Sequence, residues 1–228
     1  MLGFVNEVDP VEVKICGITE CEDALTAVGL GAGALGFVFA PSPRRILPEK
    51  ARCIISAIPP FVKTVGVFVN EEAATIRELI NYCGLDLVQL HGDEPPDFCR
   101  ALMPCTIKAV RIKDDSGPPM CSAYQTNVRA LLLDTYVKDK AGGTGKTFDW
   151  QVALKIKEAG IPVILSGGLG PANIEQAVRV VRPYAVDVNS GVEERPGKKS
   201  YRMMKELMEK VGRTEKMNIE HPTSNIEF

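Results

Sequence analysis

Short runs of Val, Ile, Leu, Phe and Ala recur along the chain with few polar interruptions. They are VEVKIC (11–16), ALGFVFA (34–40), KTVGVFV (63–69), LDLVQL (85–90), TIKAVRI (106–112), RALLLD (129–134), PVILSG (162–167) and YAVDVNS (184–190). Several are nearly continuous in apolar residues instead of alternating, as in strands of a parallel sheet covered on both faces. Between them the apolar positions take on helical spacing. TECEDALTAVGLG opens on Thr19, an N-cap candidate, with acids in its first turn. PEKARCIISAI has Pro48 at the first helical position. NEEAATIRELINYCG is bounded by Asn70 as cap and Gly84 as stop. DEPPDFCRALM, DWQVALKIKEAG, PANIEQAVRVV and KSYRMMKELMEKVG follow the same grammar. Residues 114–127, DDSGPPMCSAYQTN, contain Gly and two prolines, which leave room for a short or irregular fifth helix.

Eight strand–helix alternations in about 200 residues predict an α/β fold, a single (β/α)8 TIM barrel with a parallel eight-stranded core over residues 11–212. A doubly wound open sheet is the structural alternative. The lack of a strong linker favours one closed barrel. Residues 1–10 are expected to be an N-terminal tail and 213–228, RTEKMNIEHPTSNIEF, a polar C-terminal tail with no sustained period.

Composition narrows the chemistry. The net charge of −2 gives no excess of positive charge for nucleic acid or an acidic membrane. Seven cysteines with no C-x-x-C pair, and only two histidines, make a zinc site a poor reading and fit reduced thiols in the cytoplasm. No metal or cofactor is expected. The start, MLGFVNEVDP, has acids and no basic segment, unlike a signal peptide. Ala24 to Pro43 carries no charge and is long enough on paper to span a bilayer, but its four glycines and two prolines suit a helix end followed by a buried strand.

The stretch DKAGGTGKTFD (139–149) looks like a phosphate-binding P-loop. That motif needs G-x-x-x-x-G-K-[ST], and its first Gly would stand at position 140, which is Lys140. A kinase or ATPase is therefore disfavoured. A Gly-rich surface loop and a mobile loop beside an active site both remain.

In a barrel, function collects where the strands end. Strands seven and eight end in SGGLGPAN (166–173) and NSGVEERPGKK (189–199). Glycines at a strand end just before a helix suit phosphate, through backbone N–H groups. Gly167, Gly168, Ser190 and Gly191 are the candidates. Cys16 and Asp134 each end a strand. A thiolate can act as base or nucleophile and a carboxylic acid can protonate a leaving oxygen. A small buried cysteine and a loop-capping aspartate are the plain alternatives. Arg44 and Arg45 suit a carboxylate or a solvated pair. His91 suits catalysis or the orientation of a loop. Asp187 points into the mouth or caps a helix.

Taken together, VKICGIT, ALGFVFAPSPR, VGVFVN, LVQLHGDE, LLLDT, GGTGKTFDW, LSGGL with PANI, and AVDVNSGVEERPGKK resemble the phosphoribosylanthranilate isomerase family, in order, from about residue 12 to residue 212. The resemblance implies a (β/α)8 barrel that performs an Amadori rearrangement in tryptophan biosynthesis. N-(5-phosphoribosyl)anthranilate becomes 1-(2-carboxyphenylamino)-1-deoxyribulose 5-phosphate without metal or organic cofactor. By the same resemblance Cys16 is the general base, Asp134 the general acid and Arg44 the partner of the anthranilate carboxylate. Gly167, Gly168, Ser190 and Gly191 match the phosphate site, Asp187 orients the substrate, and His91 shapes the site. GGTGKTFDW matches a loop that closes over substrate. The implied enzyme is cytoplasmic, a monomer or homodimer, with a phosphorylated small molecule as its partner. Cys16 needs a feature that lowers its pKa. Arg45 and Asn189 depart from the family pattern, which commonly has an aromatic residue and a Ser there. The related histidine-pathway isomerase and a non-catalytic phosphometabolite-binding barrel are the rival readings.

Overall fold

Eight parallel strands close on one another in chain order: β1 (Glu12–Ile15), β2 (Ala34–Val38), β3 (Lys63–Phe68), β4 (Leu87–Leu90), β5 (Thr106–Arg111), β6 (Ala130–Asp134), β7 (Val163–Ser166) and β8 (Ala185–Val188), with β8 pairing back onto β1. The computed structural model describes residues 10–112, 121–134, 150–158 and 160–220, leaving aside the side chains of 150–152 and 215–220. The described helices are α1 (Cys21–Gly29), α2 (Pro48–Ser56), α3 (Ala73–Cys83), α4 (Pro96–Ala101), α5 (Trp150–Glu158), α6 (Ile174–Val181) and α7 (Tyr201–Glu220). A two-stranded hairpin, β9 (Glu193–Arg195) with β10 (Lys198–Lys199), follows β8. The (β/α)8 barrel expected from the sequence is the fold observed.

The apolar runs read as nearly continuous because both faces of each strand are covered. In β6, Leu131 and Leu133 join the core beneath the helices, whereas Ala130 and Leu132 join a separate cluster with Val65, Ile107 and Ile164 inside the barrel. Strand alternation therefore assigns every residue a side. Lys14, Gln89, Ser166 and Asp187 lie on the inward phase of their strands. Cys16, His91 and Asp134 continue that phase at the C-terminal rim.

Several element ends differ from expectation. Glu20, not Thr19, stands at the start of α1, and the Thr19 hydroxyl donates to the Gly197 carbonyl oxygen instead. The hairpin packed against this loop competes for the hydroxyl. Glu72, not Asn70, precedes α3. Asn70 has φ +50°, its N–H donates to Glu94, and its Oδ1 accepts the Asp93 N–H. Gly84 does stop α3, in the left-handed conformation at φ +77°. Of the expected fifth helix, Cys121 and Ser122 are helical and the chain then turns; residues 113–120 lie outside the described part. The boundary expected at Gly212 falls inside α7. Met204, Leu207, Val211 and Thr214 form one buried stripe, spaced three and four residues apart. A helix so anchored absorbs the roughly 1 kcal/mol cost of an interior glycine.

The rim at β4 is held by a buried ion pair. Lys108 Nζ donates to the Leu90 and Gly92 carbonyls and to Glu94 Oε2 at 2.8 Å. Glu94 also accepts the Gly92 and Asn70 N–H groups. These bonds clamp the backbone on both sides of His91. Glu94→Ala strands the Lys108 ammonium, both side chains being about 3% exposed. The expected loss is about 3–5 kcal/mol of stability, measured by urea unfolding against Glu94→Gln.

Candidate active site

Cys16 follows β1, and its N–H donates to the Val188 carbonyl, which holds the end of β1 against β8. The chain then turns at Gly17 in the left-handed conformation (φ +72°). A β-carbon there would stand 2.7 Å from Asn189 Oδ1 and 2.8 Å from Arg44 Cδ. Cys16 is buried with Val38, Ala40 and Val67. Gly36 of β2 makes room for it: a β-carbon at that position would stand 2.7 Å from Cys16 Sγ and 3.1 Å from Lys14 Nζ. The thiol and the lysine ammonium thus share one small space.

Lys14 Nζ donates to Asp187 Oδ1 at 2.7 Å and to Gln89 Oε1 at 2.8 Å. The two strands pair Lys14 directly with Asp187. Burial works against the Lys14 ammonium, but the Asp187 carboxylate and the Cys16 sulfur outweigh it and raise its pKa. The Ser166 hydroxyl donates to the Asp187 carbonyl oxygen at 3.2 Å.

Across the mouth, Gln89 Nε2 lies 3.1 Å from His91 Nδ1, and His91 Nε2 lies 3.2 Å from Asp134 Oδ2. One chain of polar contacts therefore runs Asp187–Lys14–Gln89–His91–Asp134 over strands β8, β1, β4 and β6. It links the surroundings of Cys16 to Asp134.

Arg44 is half-buried and Arg45 exposed. Arg44 gives Nε and Nη2 to the Glu193 carboxylate, the shortest contact being 2.6 Å. Glu193 also accepts from Lys199 Nζ at 2.8 Å, and the same ammonium reaches Asn189 Oδ1 at 3.1 Å. Burial opposes the Glu193 charge, yet Arg44 and Lys199 hold its pKa below the usual value. Burial lowers the Lys199 pKa, with Glu193 pulling the other way.

The expected lowering of the Cys16 pKa is not what the site produces. Lys14 and Lys199 do favour the thiolate, but burial is the larger effect and Asp187 adds to it, so the pKa is raised. The resting group is a thiol.

The candidate phosphate loops meet at the ends of β7 and β8. Gly167 and Gly168 have φ +93° and +65°. A side chain on Gly191 would run into the Leu169 carbonyl, with Gly170 Cα 2.9 Å away. Asn173 braces the first loop, accepting from the Gly170 N–H and donating to the Gly168 carbonyl. Ser190 opens a 3-10 turn, Ser190–Val192, at the end of β8. Residues 135–149, which hold the GGTGKTFDW loop up to Asp149, lie outside the described part.

All the site residues named from sequence gather at this rim. Lys14, Gln89, Glu193 and Lys199 were missed. Lys14 and Gln89 had a signal: each is a polar residue at an inward position of its strand, Gln89 in an otherwise apolar one. Glu193 and Lys199 had a weaker one, opposite charges flanking the Pro-Gly turn of EERPGKK. Among the described residues, no cluster of three or more His, Cys, Asp or Glu is arranged to hold a metal, and no helix is long and apolar enough to cross a membrane.

Comparison with known proteins points one way. A family profile described as N-(5'-phosphoribosyl)anthranilate (PRA) isomerase matches residues 13–210. A protein of Geobacter metallireducens named N-(5'-phosphoribosyl)anthranilate isomerase is 53% identical over 199 residues, 87% of this chain and 97% of its own. The crystal structure of phosphoribosyl anthranilate isomerase from Thermotoga maritima superposes with a TM-score of 0.83 at 47% identity, covering 89% of this chain and 99% of that one. A crystal structure of phosphoribosyl anthranilate isomerase in complex with reduced 1-(o-carboxyphenylamino)-1-deoxyribulose 5-phosphate superposes with a TM-score of 0.80 at 44% identity, covering 89% of this chain and 99% of that one.

Gly36→Ala is expected to cost about 1–3 kcal/mol through overpacking against Cys16 and Lys14, seen as a lower urea midpoint. Glu94 and Glu193 both have pKa values held below the ordinary 4.5. Their stabilisation is complete above that value and is lost as pH falls through the lowered folded values. Unfolding midpoints are therefore expected to stay level from neutral pH down to about 5 and then drop.

Proposed function

The chain belongs to the N-(5'-phosphoribosyl)anthranilate isomerase family, and from that premise we propose that Cys16 and Asp134 are the base and acid of its Amadori rearrangement. The protein is an isomerase of tryptophan biosynthesis. The observation that carries the assignment is the placing of both groups on one rim, three strand positions apart, joined through Lys14, Gln89 and His91.

Asp134 gives a proton to the furanose ring oxygen. The C1–O bond breaks and the ring opens to a protonated Schiff base. That positive charge acidifies the proton on C2, which Cys16 removes as thiolate. The electron pair left behind forms the enolamine, and proton transfer from the C2 hydroxyl to C1 completes the aminoketose. The Lys14 and Lys199 ammoniums favour the thiolate against its burial. Lys14 is held in place by Asp187, which is why a carboxylate belongs there although its own charge disfavours the thiolate.

The ends of the substrate are fixed separately. Arg44, braced by Glu193, offers the anthranilate carboxylate the edge of its guanidinium that Glu193 does not take. Backbone groups of Gly167, Gly168, Ser190 and Gly191 take the phosphate. His91 and Asp187 shape the space between. Holding both ends aligns C2 and the ring oxygen with their partners, the effect that matters most in a one-substrate rearrangement. The enzyme acts in the cytoplasm on this phosphorylated small molecule, as a monomer or homodimer, and binds no nucleic acid.

Turnover is followed as the loss of anthranilate-type fluorescence from freshly prepared phosphoribosylanthranilate. Cys16→Ala and Asp134→Asn are each expected to lower kcat by about 10²–10⁴-fold. Full activity in either variant would overturn its role. Because the Cys16 pKa is raised and the base is the thiolate, kcat/KM is expected to climb with pH above neutrality; a profile flat from pH 6 to 9 would remove Cys16 as the base.

A further inference from the structure

The Gln89 side chain stands between two groups whose chemistry leaves it one orientation. One of its terminal atoms lies 2.8 Å from Lys14 Nζ. An ammonium has hydrogens and no lone pair, so that atom is the carbonyl oxygen. The other is then the NH2 group, 3.1 Å from His91 Nδ1, with only hydrogens to offer. In a neutral ring Nδ1 must therefore present its lone pair, and the proton sits on Nε2. That N–H faces Asp134 Oδ2 at 3.2 Å. Gln89 is 1% exposed and Lys14 3%, so bulk water does not compete for either group.

We propose that Gln89 is a positioning residue that fixes His91 in its Nε2–H tautomer, with the Lys14 ammonium fixing Gln89 in turn, so that a ring N–H is always aimed at Asp134. The order of cause runs from the ion pair outward. Asp187 holds Lys14, Lys14 orients the amide, and the amide selects the tautomer. Asp134 accepts one hydrogen bond suited to its carboxylate, the form left after it has given its proton to the ring oxygen. With the other tautomer, Nε2 would turn a lone pair on that carboxylate and repel it. The tautomer follows from the geometry alone; its service to catalysis rests on the acid role proposed for Asp134.

The test is a long-range ¹H–¹⁵N spectrum of the full-length protein, recorded at about pH 8, where an ordinary imidazole is neutral. The chain has only two histidines, His91 and His221, so a His221→Gln variant assigns the signals. The wild type is expected to show Nδ1 unprotonated and Nε2 protonated. Gln89→Glu supplies a carboxylate that accepts from Lys14 and from Nδ1–H, so the ring proton is expected to move to Nδ1. In the same variant kcat is expected to fall about 10- to 100-fold while KM changes less than about threefold. Lys14→Met combined with Asp187→Leu removes the pair without stranding a charge, and is read by the spectrum alone; both tautomers are expected. A wild-type ring protonated on Nδ1 overturns the proposal, and that measurement needs no variant to fold. A Gln89→Glu ring that switches tautomer with kcat unchanged overturns the catalytic service and leaves the tautomer assignment supported. The separate Asp134→Asn assay reports on the acid itself.

Discussion

The Lys14 ammonium lies 2.7 Å from Asp187 and 2.8 Å from Gln89, almost wholly out of water. A charge so buried survives only if it is paired and its hydrogens are used. Meeting that demand ties β1 to β8 and β4 and fixes the polar groups at the centre of the mouth. The same charge bears on Cys16 from the shared space over Gly36. The pair is thus less a source of net stability than a source of order, since an apolar replacement would pack as well without orienting anything.

A second ionic network frames the side of the mouth where Arg44 stands. Glu193 receives Arg44 and Lys199, and Lys199 reaches back to Asn189 at the end of β8. Arg44 is therefore held in one orientation, which in the carboxylate-binding role proposed for it would reduce the entropy lost on binding. Lys199 also belongs to the field around Cys16. The departure at Asn189 has a consequence here, because its side-chain oxygen accepts from Lys199 and lies against Gly17. Arg45, the other departure, is exposed and its side chain has no part in these contacts.

The resting Cys16 is a thiol because burial outweighs two nearby ammoniums. The same burial strengthens any interaction the sulfur makes with a cationic intermediate. A protonated Schiff base formed next to it would shift the balance toward thiolate when the base is needed. In the roles proposed for Asp134 and Cys16, ring opening at the one would in this way prepare the proton transfer at the other, which couples the two steps through charge.

The barrel was legible in the chain because apolar runs and helical segments alternate, and each is a local pattern. The rim residues Cys16, Asp134, Asp187 and the glycines after β7 and β8 were legible because a strand end is a local feature too. Thr19 and Asn70 do not cap their helices because partners distant in sequence, on the hairpin and the β4 loop, claim their side chains. Gly212 did not end its helix because the stripe from Met204 to Thr214 is buried on both sides of it. The pairing of Lys14 with Asp187, of Arg44 with Glu193, and of Gln89 with Lys14 could be decided only by closure of the barrel. Those contacts join residues up to 173 positions apart. Local pattern determines which face a side chain takes, but which charge it meets there depends on strand register and on the ring that brings β8 back to β1.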